Sequence, residues 1–175
     1  IYAEATAELS GSNSICEGTS SDLVFIFSGT APFDVIYTDG TTNFTLNGLS
    51  SPHTETIMPN AAATYEIVAF NDVNCSSDAF NGSATIDING TPNAVNIMSN
   101  CLPNNEEYTI TATIIGGTGN YVITPSDAGI IIDNVFTSGN IASGTAYNIL
   151  ISDENNCGTA SINGVLNCLC ATNAG

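Results

Sequence analysis

Apolar and polar side chains alternate residue by residue through several short stretches of this chain, among them Ala84-Thr85-Ile86-Asp87-Ile88 and Tyr108-Thr109-Ile110-Thr111-Ala112. A period of two marks a strand with one face buried and the other in water. Other stretches, such as Leu23-Val24-Phe25-Ile26-Phe27, are unbroken runs of the branched and aromatic residues that favour extended backbone. Apolar residues at helical spacing occur only inside such runs, and Gly, Pro and Asn interrupt the chain roughly every ten residues. The pattern predicts an all-β protein of short strands and turns, with no helix.

The two halves repeat three landmarks in the same order. A cysteine precedes a strand twice, as Cys16 before residues 23–27 and as Cys101 before residues 108–112. Gly29-Thr30-Ala31-Pro32-Phe33-Asp34-Val35 is matched by Gly117-Thr118-Gly119-Asn120-Tyr121-Val122-Ile123. A strand led by tyrosine then ends in a turn carrying a cysteine, and ten residues separate Tyr65 from Cys75 and Tyr147 from Cys157 alike. Each turn is followed by a further strand, at 84–88 and 160–165. Such self-similarity over a period longer than a strand is the sign of a tandem duplication. The turn-forming cluster Asn89-Gly90-Thr91-Pro92 sets the boundary, giving domains 1–90 and 91–175, the second ending in a Cys-x-Cys tail.

The charge balance narrows the chemistry sharply. The chain has 17 Asp and Glu, no Lys or Arg and one His, for a formal charge of −17. Lysine and arginine ion pairs are impossible, so salt bridges are expected to be absent and stability must come from apolar burial, backbone ladders and cross-links. Nucleic acid is excluded as a partner, because phosphate binding draws on Lys and Arg. Phosphate-binding P-loops, Schiff-base lysines, arginine fingers and Lys-to-Asn isopeptide bonds are excluded with it. No basic leader or long apolar run is present, so neither a signal peptide nor a membrane span is expected in this segment.

Six cysteines in a chain this short point to an oxidising compartment and to disulfides. No C-x-x-C pair occurs and His53 has no second histidine to work with, so a zinc site is not indicated.

At these landmarks the sequence resembles the PKD-like and immunoglobulin-like repeats of very large Bacteroidetes cell-surface proteins, including the gliding-motility adhesins. The first half carries the resemblance through Cys16-Glu17-Gly18, Ala31-Pro32-Phe33, Tyr37-Thr38-Asp39-Gly40, Thr64-Tyr65 and Asn74-Cys75. The second half carries it through Gly116-Gly117, Phe136-Thr137-Ser138, Tyr147, Ser152-Asp153, Cys157-Gly158 and the tail from Cys168 to Gly175. It implies two tandem immunoglobulin-like (PKD-like) β-sandwich domains, secreted to the cell surface through type IX export. It also implies a non-enzymatic structural repeat of an adhesin or filament, whose partners are copies of itself or adjacent repeats. A binding module for a surface glycan or host protein is the alternative function.

In that topology the connection before the second strand and the last hairpin lie at opposite ends of a domain. A strand spans roughly 17–20 Å, whereas a disulfide tolerates only about 4.4–6.8 Å between Cα atoms. Pairing Cys16 with Cys75 and Cys101 with Cys157 is therefore disfavoured. The arrangement expected instead joins Cys16 to Cys157, joins Cys101 to Cys168 or Cys170, and leaves Cys75 for a neighbouring repeat. A Cys168–Cys170 bridge is a further, strained option.

Sharper chemistry finds little support. His53 sits in the polar stretch Ser51-Pro52-His53-Thr54, expected to be an exposed turn without a nucleophile elbow. Glu106 and Glu107 are adjacent, and neighbours on a strand face opposite ways, so they do not form a glycosidase pair. The acidic turns offer weak calcium candidates, Asp72 and Asn74 in one and Asp153, Glu154 and Asn155 in the other, although Asp and Asn also serve ordinary turns. No other cofactor is indicated. The four Asn-x-Ser/Thr sequons, at Asn43, Asn74, Asn81 and Asn89, match the composition of a chain rich in these residues.

Overall fold

A computed structural model describes residues 4–168, and every regular element among them is a β-strand. The chain divides into two compact units, Ile1–Ile88 and Asn89–Gly175, so the division falls at the head of the turn cluster, two residues before the boundary expected between residues 90 and 91.

Unit 1 contains β1 (Thr6–Ser10), β2 (Asn13–Cys16), β3 (Ser21–Ser28), β4 (Phe33–Thr38), β5 (Asn43–Leu49), β6 (His53–Ile57), β7 (Ala63–Asn71), β8 (Ser76–Ser77), β9 (Phe80–Asn81) and β10 (Ser83–Asn89). One sheet has the order β6-β3-β1-β9, and the other β2-β10-β7-β4-β5, with β8 against β7. Alternation does the sorting. On β3, Leu23, Phe25 and Phe27 are buried while Asp22, Ile26 and Ser28 are exposed, and on β4 the buried set is Phe33, Val35 and Tyr37. The two inner faces meet in an aromatic core in which the Phe27 and Phe70 rings stack at 5.5 Å and 7°, with Phe33 5.0 Å from Phe27.

Unit 2 contains β11 (Asn93–Cys101), β12 (Glu107–Ile115), β13 (Tyr121–Thr124), β14 (Gly129–Ile132), β15 (Val135–Ser138), β16 (Ile141–Ala142), β17 (Ala146–Asp153) and β18 (Thr159–Val165). The order β11-β12-β15-β14, with β16 on β12, packs against β13-β17-β18. Two antiparallel sheets over one core, five strands against three, make the sandwich of an immunoglobulin-like domain. The core here is largely aliphatic, built from Ile110, Ile114, Ile149, Ile151 and Ile162 around Tyr108 and Phe136.

Strands β8 and β9 stand between β7 and β10, where the sequence led to the expectation of a direct hairpin. Ser77 Oγ donates to the Ala5 carbonyl at 2.7 Å, the Ala7 amide donates to the Ala79 carbonyl at 3.0 Å, and β9 pairs parallel with β1. The segment thus crosses from one sheet to the other and covers the edge of β1. Two-residue strands are too short to register as a pattern of alternation, which is why they were not legible.

Strand β7 carries a bulge. Ile36 pairs with Ala69 and Tyr37 with Ile67, so Val68 has no partner across the ladder and turns outward. Phe70 therefore returns to the core one residue later than strict alternation allows. Phe70→Ala lowers the stability of unit 1 by roughly 3–5 kcal/mol, whereas Val68→Thr changes it by about 0.5 kcal/mol or less; denaturant unfolding followed by tyrosine fluorescence measures both.

Candidate functional site

One aspartate in each unit ties the turn after the tyrosine-led strand to the loop that follows the second long strand. In unit 1 this is Asp72. Its Oδ2 accepts the Thr30 amide at 3.0 Å, and its Oδ1 accepts the amides of Asn74 at 2.8 Å and Cys75 at 2.9 Å. The Val73 amide returns a bond to the Thr30 carbonyl at 3.2 Å. Amide donation from Thr30, then from Cys75 and Asn74, holds the Asp72 carboxyl below its ordinary value. Gly29 makes the approach possible: at φ +126°, a Cβ there would stand 2.8 Å from Ala5 Cβ and 3.1 Å from Asp72 Oδ2.

Asp153 occupies the corresponding place in unit 2. Its Oδ2 accepts the Thr118 amide at 3.0 Å, and a Cβ on Gly117 would stand 2.8 Å from that oxygen. The residue is 1% exposed, and its Oδ1 has no partner among the described residues. The turn supplies the difference. It is one residue longer than in unit 1, and the Asn156 amide bonds the Asp153 carbonyl at 3.2 Å instead of the carboxylate.

This equivalence corrects the alignment suggested by spacing. Matching Tyr65–Cys75 with Tyr147–Cys157 sets Asp72 opposite Glu154, but the loop contacts set it opposite Asp153. Unit 1 gains one residue at the Val68 bulge and loses one in the turn, so the two tyrosine-to-cysteine spacings agree by compensation. The recurring Gly-Thr pair, Gly29-Thr30 and Gly117-Thr118, was the available signal for the tie.

The acidic turns are arranged as backbone acceptors. Both Asp72 oxygens are taken by amides, Glu154 accepts the Asn120 side-chain amide at 2.9 Å, and Asn74 and Asn155 are exposed. Among the described residues no three His, Cys, Asp or Glu side chains group as a metal site. Glu107 leads β12 and accepts from Asn140 at 3.1 Å, while Glu106 lies just before the strand.

His53 is a second correction. Rather than sitting in an exposed turn, it is the first residue of β6, paired with Phe25 and half-buried with its ring 6.3 Å from the Phe25 ring. Alternation continues through His53-Thr54-Glu55-Thr56-Ile57, so the imidazole takes an inward-leaning position. Its Nε2 lies 3.5 Å from Glu55 Oε2, which with the imidazole protonated is the one ion pair among the described residues; the expectation of none overlooked it.

The cysteines separate into distinct states, and two disulfides are present. Cys101 is bonded to Cys168 with an S–S length of 2.04 Å and 5.6 Å between Cα atoms, closing a span of 67 residues. Cys168 is anchored further by its amide donating to Ser143 Oγ at 2.8 Å. Cys170 lies outside the described residues. Cys16 and Cys157 each take part in a disulfide, whereas Cys75 is an exposed free thiol. Pairings of Cys16 with Cys75 and of Cys101 with Cys157 are thereby excluded. Within unit 1, Cys16 sits where β3 begins, and Cys75 sits beside Asp72 at the end where β3 finishes, roughly 26 Å away at strand rise.

No family model matches the chain, and no curated protein matches it. Solved structures do. A titin I-band fragment, I67–I69, superposes with a TM-score of 0.68 at 15% identity over 95% of this chain and 66% of the fragment. The eight N-terminal immunoglobulin domains of the Down syndrome cell adhesion molecule give 0.60 at 13% identity over 95% of this chain and 28% of theirs. Sidekick-1 immunoglobulin domains 1–4 give 0.50 at 10% identity over 94% and 49%. The chain thus spans about two thirds or less of these structures. At such identities the likeness establishes the fold alone, a tandem of two immunoglobulin-like domains.

Two outcomes follow from the ties and the bridge. Because the Asp72 carboxyl is held low, its contribution to stability is fully present above about pH 4 and is lost as pH falls through the lowered folded-state value. The gap in Tm between wild type and Asp72→Asn is therefore larger at neutral pH than at about pH 2, as calorimetry at both values will record. Replacing Cys101 and Cys168 together by Ser lowers the stability of unit 2 by about 4 kcal/mol, the closure entropy of a loop this long, read from urea unfolding.

Proposed function

We propose that the chain is a structural repeat of an extracellular adhesin or filament, non-catalytic, with its domains stacked head to tail and held by disulfides. In this reading Cys16 bonds Cys157 across the two domains. Cys75 presents its thiol to a cysteine of the adjoining repeat, for which Cys170 is the candidate. Attachment to a bacterial surface through type IX export belongs to the same proposal and rests on the sequence motifs alone.

The observation that carries the reading is the distribution of cysteine states. A closing bridge, Cys101–Cys168, joins an exposed to a buried cysteine in oxidised form, yet Cys75 is reduced and exposed at the loop end of unit 1. Head-to-tail contacts that do not close into a ring generate a filament. The carboxylate surface suits such a polymer, since like charge keeps neighbouring fibres apart.

Denaturing electrophoresis of native material with thiols blocked, with and without reductant, tests this. A ladder that collapses to the 18.0 kDa chain on reduction, and that Cys75→Ser abolishes, is the expected result. Quantitative alkylation of Cys75 without prior reduction shows instead that no covalent polymer forms.

A further inference from the structure

Unit 1 has a cavity of about 540 Å³ between the ends of its two sheets, on the side away from the Asp72 tie. Its walls come from β4, β5, β6, the start of β7 and the 58–62 connection, and they combine three aromatic rings with two carboxylates. Tyr37 and Phe44 stack at 5.0 Å and 22°, and Tyr65 stands 6.2 Å from Tyr37 at 51°. Glu55 and Asp39 supply the charge, while Ile57 and Met58 continue the apolar wall.

Two features mark this as more than a gap between sheets. Tyr37 is 3% exposed and Tyr65 4%, yet neither hydroxyl has a hydrogen-bond partner among the described residues although both line the cavity. In unit 2 Tyr108 and Tyr121 donate to the carbonyls of Thr145 and Gly116, whereas Tyr147, at the place of Tyr65, has no hydrogen-bond partner among the described residues. Each ring is buried while its hydroxyl opens on the cavity, so a ligand there can meet a polar group that otherwise meets only water. The carboxylates are also short of partners. Asp39 Oδ1 takes the Thr41 and Thr42 amides and the Thr41 hydroxyl, leaving Oδ2 open, and Glu55 meets only His53.

The duplicated unit supplies a control. Strand β13 stops at Thr124 before Pro125, where β4 continues to Tyr37, and no strand lies beside β13 as β5 lies beside β4. Unit 2 keeps Tyr147 at the place of Tyr65 but has no counterpart of Tyr37 or Phe44 in this arrangement. Unit 2 has a smaller cavity of about 320 Å³ at the corresponding end, beside Pro125 and Tyr147, so it is the aromatic wall, not the opening itself, that is a feature of unit 1.

We propose that this cavity binds an organic ammonium group, its charge set between Glu55 and Asp39 and against the faces of Tyr37, Tyr65 and Phe44. Aromatic faces attract a cation through the ring quadrupole, most strongly where water is excluded. A hard inorganic cation fits poorly, because calcium takes about 6–8 oxygen ligands and the remaining wall here is carbon. The cavity lies within the size range of small-molecule sites, roughly 300–1,000 Å³. Both hydroxyls stay protonated in neutral solution, since burial, followed by the charges of Glu55 and Asp39, pushes Tyr37 up to about 12, and burial also raises Tyr65. As neutral hydroxyls they keep oxygens that can accept an ammonium N–H. The chain has no Lys or Arg, so the ammonium comes from elsewhere, as a free solute or as a lysine side chain of another protein. The inference is independent of whether the chain polymerises through Cys75.

Amide NMR titration of the intact chain tests it, using choline, its neutral carbon isostere 3,3-dimethylbutanol, Nα-acetyl-lysine methylamide and calcium chloride as probes. Choline or the lysine derivative should shift the amides of Thr41, Ala61 and Ala62, with the neutral alcohol at least tenfold weaker. Glu55→Gln should weaken ammonium binding about tenfold, and Asp39→Asn, which keeps its turn acceptor, should weaken it in the same direction. Tighter binding of choline assigns the site to a free solute, and tighter binding of the lysine derivative assigns it to a protein-borne ammonium. Equal affinity for the alcohol, equal shifts from calcium, or binding untouched by both substitutions in folded protein overturns the proposal.

Discussion

A carboxylate in this chain has no lysine or arginine to meet, so one that leaves water must find backbone amides or be left open. The loop ends of both units are organised around the first solution. Asp72 gathers three amides from two separate loops, and charge-assisted bonds of this kind are stronger than neutral ones. In a protein with mixed charges an arginine could bridge the same loops at longer range. Here the carboxylate must approach the backbone closely, and that requirement explains glycine at 29 and 117, where a Cβ would collide with the tie.

The same constraint places the burden of stability on packing and covalent closure. Unit 1 meets it with rings, Phe25, Phe27, Phe33, Phe70 and Tyr37 forming one connected aromatic cluster. Unit 2 has an aliphatic core and adds the Cys101–Cys168 bond. The two solutions differ in what they leave over. Flat rings on β4 and β5 pack edge and face at the end of the sheet without filling it, whereas the shorter β13 of unit 2 ends before such a wall can form.

Period-two alternation made the long strands legible because each has a buried and a wet face, and the repeated landmarks made the duplication legible. Local irregularity was what the pattern concealed. Spacing from Tyr65 to Cys75 and from Tyr147 to Cys157 is equal only because a bulge at Val68 offsets a shorter turn, so counting residues set Asp72 against the wrong partner. His53 was read from its polar neighbours as a turn, although Phe25 opposite it draws the imidazole inward. The tie at Asp153 and the cavity beside Tyr37 join residues far apart in sequence, and such contacts leave no mark in local periodicity. The cysteine states depend in the same way on which ends of each sandwich the strands bring together.

A chain of formal charge −17 cannot neutralise itself, and its carboxylates divide accordingly. Asp72 is consumed by three amides and Asp153 takes one, and both contribute to the fold. Glu55 and the open oxygen of Asp39 are not so used, and they stand beside rings whose hydroxyls open on the same cavity. Folding alone gives no reason to retain two such carboxylates around a cavity, because like charges disfavour the compact state. An external cation reverses the sign of that contribution: it turns the repulsion into attraction and gives the aromatic wall a partner. The acidity that keeps neighbouring copies apart is, at this one place, concentrated into a shape that favours a guest of opposite charge.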